Sequence, residues 1–125
     1  MKVVLDTSVL IDHFRAGEGP VSSIIQSRKK GEVDIFIPSI VVAELWAGRS
    51  MSRKQEALKV ERFIGLFDVV SLDMVIAKLA GELRRKNLVP GFDSIIAATA
   101  LHLDAALATG NRKHFEKVKG LRFFA

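Results

Sequence analysis

The chain has 125 residues, no cysteine, and 19 Lys and Arg against 14 Asp and Glu, giving a net charge of +5 at pH 7. That length fits one domain with a real core, residues 1–125, and the missing cysteines exclude disulfides and thiolate metal sites and suit a reducing compartment. A sequence pI near 9.8 suits a polyanionic partner such as nucleic acid, although many small basic proteins bind none.

Val3-Val4-Leu5-Asp6-Thr7-Ser8 reads as a short buried strand that ends in a carboxylate and turns into a helix. Only three apolar residues separate Met1-Lys2 from Asp6, too few for a secretory apolar core. Residues 8–15 follow as a helix with Leu10, Ile11 and Phe14 on one face and Thr7 or Ser8 as the cap. Gly17 and Gly19-Pro20 punctuate before a helix over 21–30, whose basic last turn stops at Gly31. Asp34–Pro38 is a second buried strand. Ser39 caps a helix over 40–47 that is apolar almost all round, interrupted by one charged residue, Glu44.

A polar stretch, 49–55, leads to an amphipathic helix over 56–65 and a third strand over 67–70. Residues 72–86 form a longer helix with Asp73 near its start and Arg84-Arg85-Lys86 at its end, as the helix dipole favours. Past the turn at 87–92, Asp93 opens an Ala- and Ile-rich helix over 94–103, apolar enough to be buried. A fourth strand at 105–108, a basic helical turn at 112–115 and a last strand at 121–124 complete the chain. Strands alternating with helices predict an α/β domain, a central parallel sheet of four to five strands flanked by helices. No apolar run reaches the ~20 residues of a membrane span, so a soluble, cytoplasmic protein with no membrane contact is expected.

Three acids sit where a core would not want them. Asp6 ends the first strand, where ligands of open parallel sheets bind; Glu44 interrupts an apolar helix; Asp93 opens a buried one. A lone buried carboxylate is costly, so each needs a partner, and a divalent cation shared by several is one solution. Asp6 and Asp93 could instead cap the helices that follow them, and Glu44 could pair with an Arg or Lys. Neither G-x-G-x-x-G nor G-x-x-x-x-G-K-[ST] is present, which argues against a nucleotide cofactor, and there is no G-x-S-x-G. His13, His102 and His114 lack zinc-site spacing and read as structural or surface residues.

Four segments in order resemble one known family: residues 4–12 (VLDTSVLID), Val42-Ala43-Glu44-Leu45, residues 93–100 (DSIIAATA) and residues 108–115 (ATGNRKHF). They look like the PIN-domain ribonucleases, and most like the VapC-type toxins of prokaryotic toxin–antitoxin pairs. The resemblance implies a PIN-like fold, a pocket for Mg2+ or Mn2+ and endonucleolytic cleavage of RNA. It puts Asp6, Glu44 and Asp93 at the catalytic and metal-binding acids, with Ser8 and Thr109 in support. It further implies a homodimer and a VapB-like antitoxin whose tail covers the pocket, often with an arginine. A hydrophobic content of 49% is compatible with such interfaces.

One position departs from the family. Asn111 stands where many members carry a fourth acid, and it adds no charge. Three carboxylates around one divalent ion leave roughly −1, which predicts one resident metal. Asp6 and Asp93 are then ligands, Glu44 a ligand or the base that orients water, and Ser8, Thr109 and Asn111 the supporting shell. The basic clusters Arg49/Arg53/Lys54, Arg84/Arg85/Lys86 and Arg112/Lys113 are candidates for the RNA backbone, each with the alternative of a solvated helix end. The rival functions are a non-catalytic RNA-binding or scaffold module on the same fold and, lower, a phospho-accepting receiver. A receiver wants paired acids after the first strand, where Thr7-Ser8 follow Asp6.

Overall fold

The structure, a computed structural model, describes residues 1–124. Its strands are β1 (Lys2–Leu5), β2 (Asp34–Pro38), β3 (Asp68–Val70), β4 (Ala106–Ala108) and β5 (Arg122–Phe123). Its helices are α1 (Thr7–Ala16), α2 (Val21–Lys29), α3 (Ser39–Trp46), α4 (Lys54–Ile64), α5 (Met74–Arg85) and α6 (Asp93–Leu103), with 3-10 turns at Arg49–Ser52 and Arg112–His114. The five strands make one sheet in the order β3-β2-β1-β4-β5, parallel throughout, as the alternation of elements predicts.

β1 is central because its whole run can be buried. Val3 lies opposite Ile35 of β2 on one side and Ala106 of β4 on the other, and Val3, Val4 and Leu5 are fully buried. A parallel strand covered on both faces reads as a continuous apolar run rather than an alternating one. α6 packs on β1, β2 and α5, and its residues Ser94 and Ile96 to Ala100 are buried, small alanines admitting close approach. The two buried hydroxyls in that helix are satisfied locally: Ser94 Oγ donates to the Gly91 carbonyl at 2.6 Å and Thr99 Oγ1 to that of Ile95 at 2.7 Å. Phe14, Phe63 and Phe67 stack edge to face, joining α1 to α4.

The helix starts differ from expectation. Neither Thr7 nor Ser8 caps α1; the alternative cap, Asp6, does, its Oδ1 accepting the Thr7 N–H at 2.8 Å, while both hydroxyls are engaged elsewhere. Ser39 is inside α3, and its hydroxyl accepts the Leu72 N–H at 3.2 Å instead of capping. α3 itself is less buried than its apolar sequence implies: only Val41 and Leu45 are sealed, and Trp46 is 40% exposed. Asp73 does cap α5, accepting the Ile76 N–H at 2.9 Å.

The winding places a site. From β1 the chain moves outward through β2 to β3, then crosses back to add β4 and β5 on the opposite side. The switch therefore falls between β1 and β4, and the crevice outside their carboxyl ends is the ligand position of such sheets. Leu107 is fully buried beside Val4 in that central pair. Leu107→Ala is expected to lower unfolding free energy by about 2–5 kcal/mol, read from the midpoint of a urea transition at unchanged slope.

Candidate active site

Asp6 stands at the switch point with 4% of its surface exposed. Its backbone N–H donates to the Ala108 carbonyl at 3.0 Å, extending the β1–β4 ladder by one bond. Its Oδ2 accepts from Ser8 Oγ at 3.0 Å and from Thr109 Oγ1 at 2.6 Å. The loop after β4 is drawn in by the same groups: the Gly110 N–H donates to Ser8 Oγ and the Asn111 N–H to Thr109 Oγ1, both at 3.0 Å. Ser8 and Thr109 thus hold Asp6 directly. Asn111 meets this network through its backbone, and its side chain is exposed.

Glu44 reaches the same corner from α3, its Oε1 accepting from Thr7 Oγ1 at 2.7 Å. Among the described residues it forms no ion pair with Arg or Lys, so the alternative of a structural ion pair is not what the structure contains. Thr7 is the missed residue here. Sequence reasoning offered it as a cap; in place, it is the link between the start of α1 and Glu44.

Asp93 is the first residue of α6 and makes no capping bond; Phe92 holds the cap position. Its Oδ2 lies 3.0 Å from His114 Nδ1, which the Arg112–His114 turn carries across from the end of β4. Burial raises the pKa of Asp93 above the ordinary 3.8; the His114 hydrogen bond opposes this, the negative charge of Asp6 raises it further, and the charge of His114 lowers it. Asp6 and Asp93 therefore lie close enough to repel. His114 is exposed, as expected of a structural or surface residue, and it also touches a candidate catalytic acid. The signal available was its place four residues after Gly110, in a loop bound to leave the sheet at its functional edge. His102 is exposed on α6, as expected, and His13 packs between Phe14 and Phe63.

The basic candidates divide. Arg49 and Arg53, with Arg15, line a cavity of about 570 Å3 that also contains Glu44, whereas Lys54 does not line it. Lys113 lines a cleft shared with Asp93, and so does Lys117, which sequence reasoning did not select. Arg112 lines a cleft with Thr109, Asn111 and Lys113 and also serves the fold, its guanidinium stacking 5.2 Å from the Phe123 ring and donating to the Phe124 carbonyl at 3.2 Å. Arg84, Arg85 and Lys86 are exposed at the end of α5, line none of these cavities, and include a Lys86–Glu82 pair at 3.4 Å.

The donors suit a hard cation in chemistry. Asp6 is bonded only to neutral donors, no Lys or Arg neutralises Asp6 or Asp93 among the described residues, and all three acids offer carboxylate oxygen. The same side chains do not yet form a cage: no group of three or more His, Asp or Glu among the described residues is arranged around one metal position.

The family model of the PIN domain matches residues 3–121, and the chain belongs to that family. Ribonuclease VapC1 of Methanocaldococcus jannaschii is 32% identical to it over 98% of this chain and 87% of that protein. Ribonuclease VapC10 of Mycobacterium tuberculosis is 33% identical over 96% of this chain and 90% of that protein. Among solved structures, VapBC2 from Rickettsia felis bound to a DNA fragment from its promoter superposes with a TM-score of 0.80 at 27% identity, covering 99% of this chain and 98% of that one. No helix of the described residues is long and apolar enough to cross a membrane.

The raised pKa of Asp93 fixes a sign. The folded chain keeps this proton to higher pH than the unfolded chain, so metal-free stability falls as pH rises from 3.8 through the raised value. Urea unfolding in EDTA is expected to show that fall, and to show less of it in Asp93→Asn. In Asp6→Asn the Asp93 carboxyl carbon should titrate at lower pH by NMR. An unmoved midpoint would mean that the two acids do not share a field.

Proposed function

We propose that this protein is a metal-dependent endoribonuclease, the toxin of a toxin–antitoxin pair, that hydrolyses RNA phosphodiester bonds. The observation that carries the reading is Asp6, buried at the switch point without a cationic partner, within the field of Asp93, in a PIN-domain chain whose relatives include VapC ribonucleases.

In this reading Asp6, Asp93 and Glu44 hold one resident Mg2+ or Mn2+. Such an ion would lower the pKa of a bound water and offset charge on the phosphoryl oxygens. The chain's own residues prepare the site for it. Ser8 and Thr109 fix the Asp6 rotamer by two hydroxyl bonds, and Thr7 fixes that of Glu44. His114 engages Asp93 Oδ2, leaving Oδ1 to the pocket. Glu44 keeps one carboxylate oxygen free of Thr7, able to ligate or to orient the attacking water. Arg49 and Arg53 attract the phosphate backbone on the Glu44 side, which offsets repulsion between the acids and a polyanion.

The partner reading has its own support. The cavity beside Glu44 has an apolar wall of Ile11, Phe14, Leu45 and Met51 next to a carboxylate, which suits an antitoxin segment that ends in an arginine. Leu66, Val69, Leu72, Met74 and Val75 are all more than 40% exposed around β3, the sheet edge, and the start of α5, which suits a second copy of the chain.

Purified chain is to be incubated with structured RNA and Mg2+, Mn2+ or EDTA, beside Asp6→Asn and Asp93→Asn. Cleavage is expected with metal, absent in EDTA, and reduced more than about a hundredfold in each variant. RNA binding without cleavage in either metal would refute the nuclease and leave a non-catalytic RNA-binding module.

A further inference from the structure

We propose that Thr7 is a positioning residue that makes Asp6 and Glu44 one unit, so that what Glu44 contributes to metal affinity depends on the Thr7 hydroxyl; the inference rests on the nuclease reading of the acids. Thr7 is the first residue of α1 and is buried. It serves both acids at once. Its backbone N–H, which has no acceptor inside the helix, donates to Asp6 Oδ1 at 2.8 Å, and its Oγ1 donates to Glu44 Oε1 at 2.7 Å. Both bonds start from one residue, so the two carboxylates are oriented from a common point.

The two acids depend on that point unequally. Asp6 keeps Ser8 and Thr109 as further donors, whereas Thr7 is the one hydrogen-bond donor to the Glu44 side chain among the described residues, and no Lys or Arg pairs with it. A glutamate has three rotatable bonds, and an acid free to sample them loses that freedom when a cation orders it. A hydroxyl that holds Glu44 in one rotamer beforehand removes part of this cost from binding. Threonine suits the task, because its branched Cβ leaves few χ1 rotamers and so restricts where the hydroxyl points. Contact between α1 and α3 brings that hydroxyl within reach of a residue 37 positions along the chain. Asp93 stands outside the unit, since its partner is His114 on the turn after β4. Loss of the Thr7 hydroxyl therefore unsettles Glu44 and leaves the bonds of Asp6 and Asp93 in place.

The test is calorimetric titration of the full chain at constant neutral pH with Mn2+ or Mg2+ alone, without RNA. Thr7→Val keeps the shape and the backbone N–H and removes the hydroxyl. It should raise the metal Kd about ten- to hundredfold, the usual cost of losing a hydrogen bond to a metal-binding side chain, while Thr7→Ser should stay near the native Kd. In the Glu44→Ala background, adding Thr7→Val should change Kd less than about twofold, because the carboxylate it serves is gone. An unchanged Kd in Thr7→Val overturns the proposal. So does an equal loss from Thr7→Val in the native and Glu44→Ala backgrounds, the pattern that a general folding defect gives. A native chain that binds neither metal without RNA overturns it as well, and RNA cleavage by that chain with Mg2+ or Mn2+ keeps the nuclease reading. The expected pattern of affinities in a chain that cleaves no RNA with either metal refutes the nuclease and keeps the positioning role.

Discussion

The bonds to the Asp6 carboxylate are what the rest of this site depends on. They close the crevice between the two central strands: Asp6 follows β1, Thr109 follows β4, and the 2.6 Å contact between them is a charge-assisted hydrogen bond. Bonds of this kind contribute about 1.5–3 kcal/mol each when the acceptor is ionised. Their consequence reaches beyond Asp6. With Thr109, Gly110 and Asn111 pinned through Ser8 and Thr109, the following 3-10 turn has one path, and that path delivers His114 to Asp93. The elements that carry the acids and their partners are thus joined through side chains: the end of β1 to the loop after β4 by Asp6 and Thr109, α1 to α3 by Thr7, and the turn after β4 to α6 by His114.

Charge is distributed to match. The chain carries +5 overall, yet three of its 14 acids, Asp6, Glu44 and Asp93, stand around the central crevice, where no Lys or Arg pairs with them among the described residues. Cationic side chains stand instead to either side, Arg15, Arg49 and Arg53 in one cavity and Lys113 and Lys117 in another. Direct ion pairs would satisfy the acids and close the site to a cation. Cations held one cleft away leave the acids available while still drawing in a polyanion, an attraction that weakens with salt.

Much of the fold was legible because it depends on local patterns. Short continuous apolar runs at 3–5, 35–37 and 105–108, bounded by turn signals, read as buried strands, and their alternation with helices points to a parallel sheet. Glu44 and Asp93 were legible for the opposite reason, as charges in segments too apolar to want them. Asp6 was legible as a carboxylate at a strand end. What sequence could not supply is which hydroxyl serves which carboxylate, since those choices span 37 residues for Thr7 and Glu44 and 103 for Thr109 and Asp6. The caps at Thr7 and Ser39 were misjudged for that reason: local propensity assigns each hydroxyl to its own helix, and a distant partner took both. His114 and Lys117 were passed over because their neighbours are fixed by the sheet order, which places the loop after β4 against the start of α6.

Capping and metal binding are not competing roles for Asp6. A carboxylate offers about four lone-pair positions. Asp6 gives one to the Thr7 N–H and two to the Ser8 and Thr109 hydroxyls, which leaves about one, enough for a single bond to a cation. Asp93 and Glu44 each give one and keep the remainder. Under the nuclease reading Asp6 would be the fixed point that helps hold a cation, while Asp93 and Glu44 would be the residues able to adjust to it. That division also accounts for the absence of a preformed cage among the described residues: the anchor is in place, and the side chains with free capacity are those that a cation would still have to draw in. Asn111 is exposed and adds no charge to the three acids.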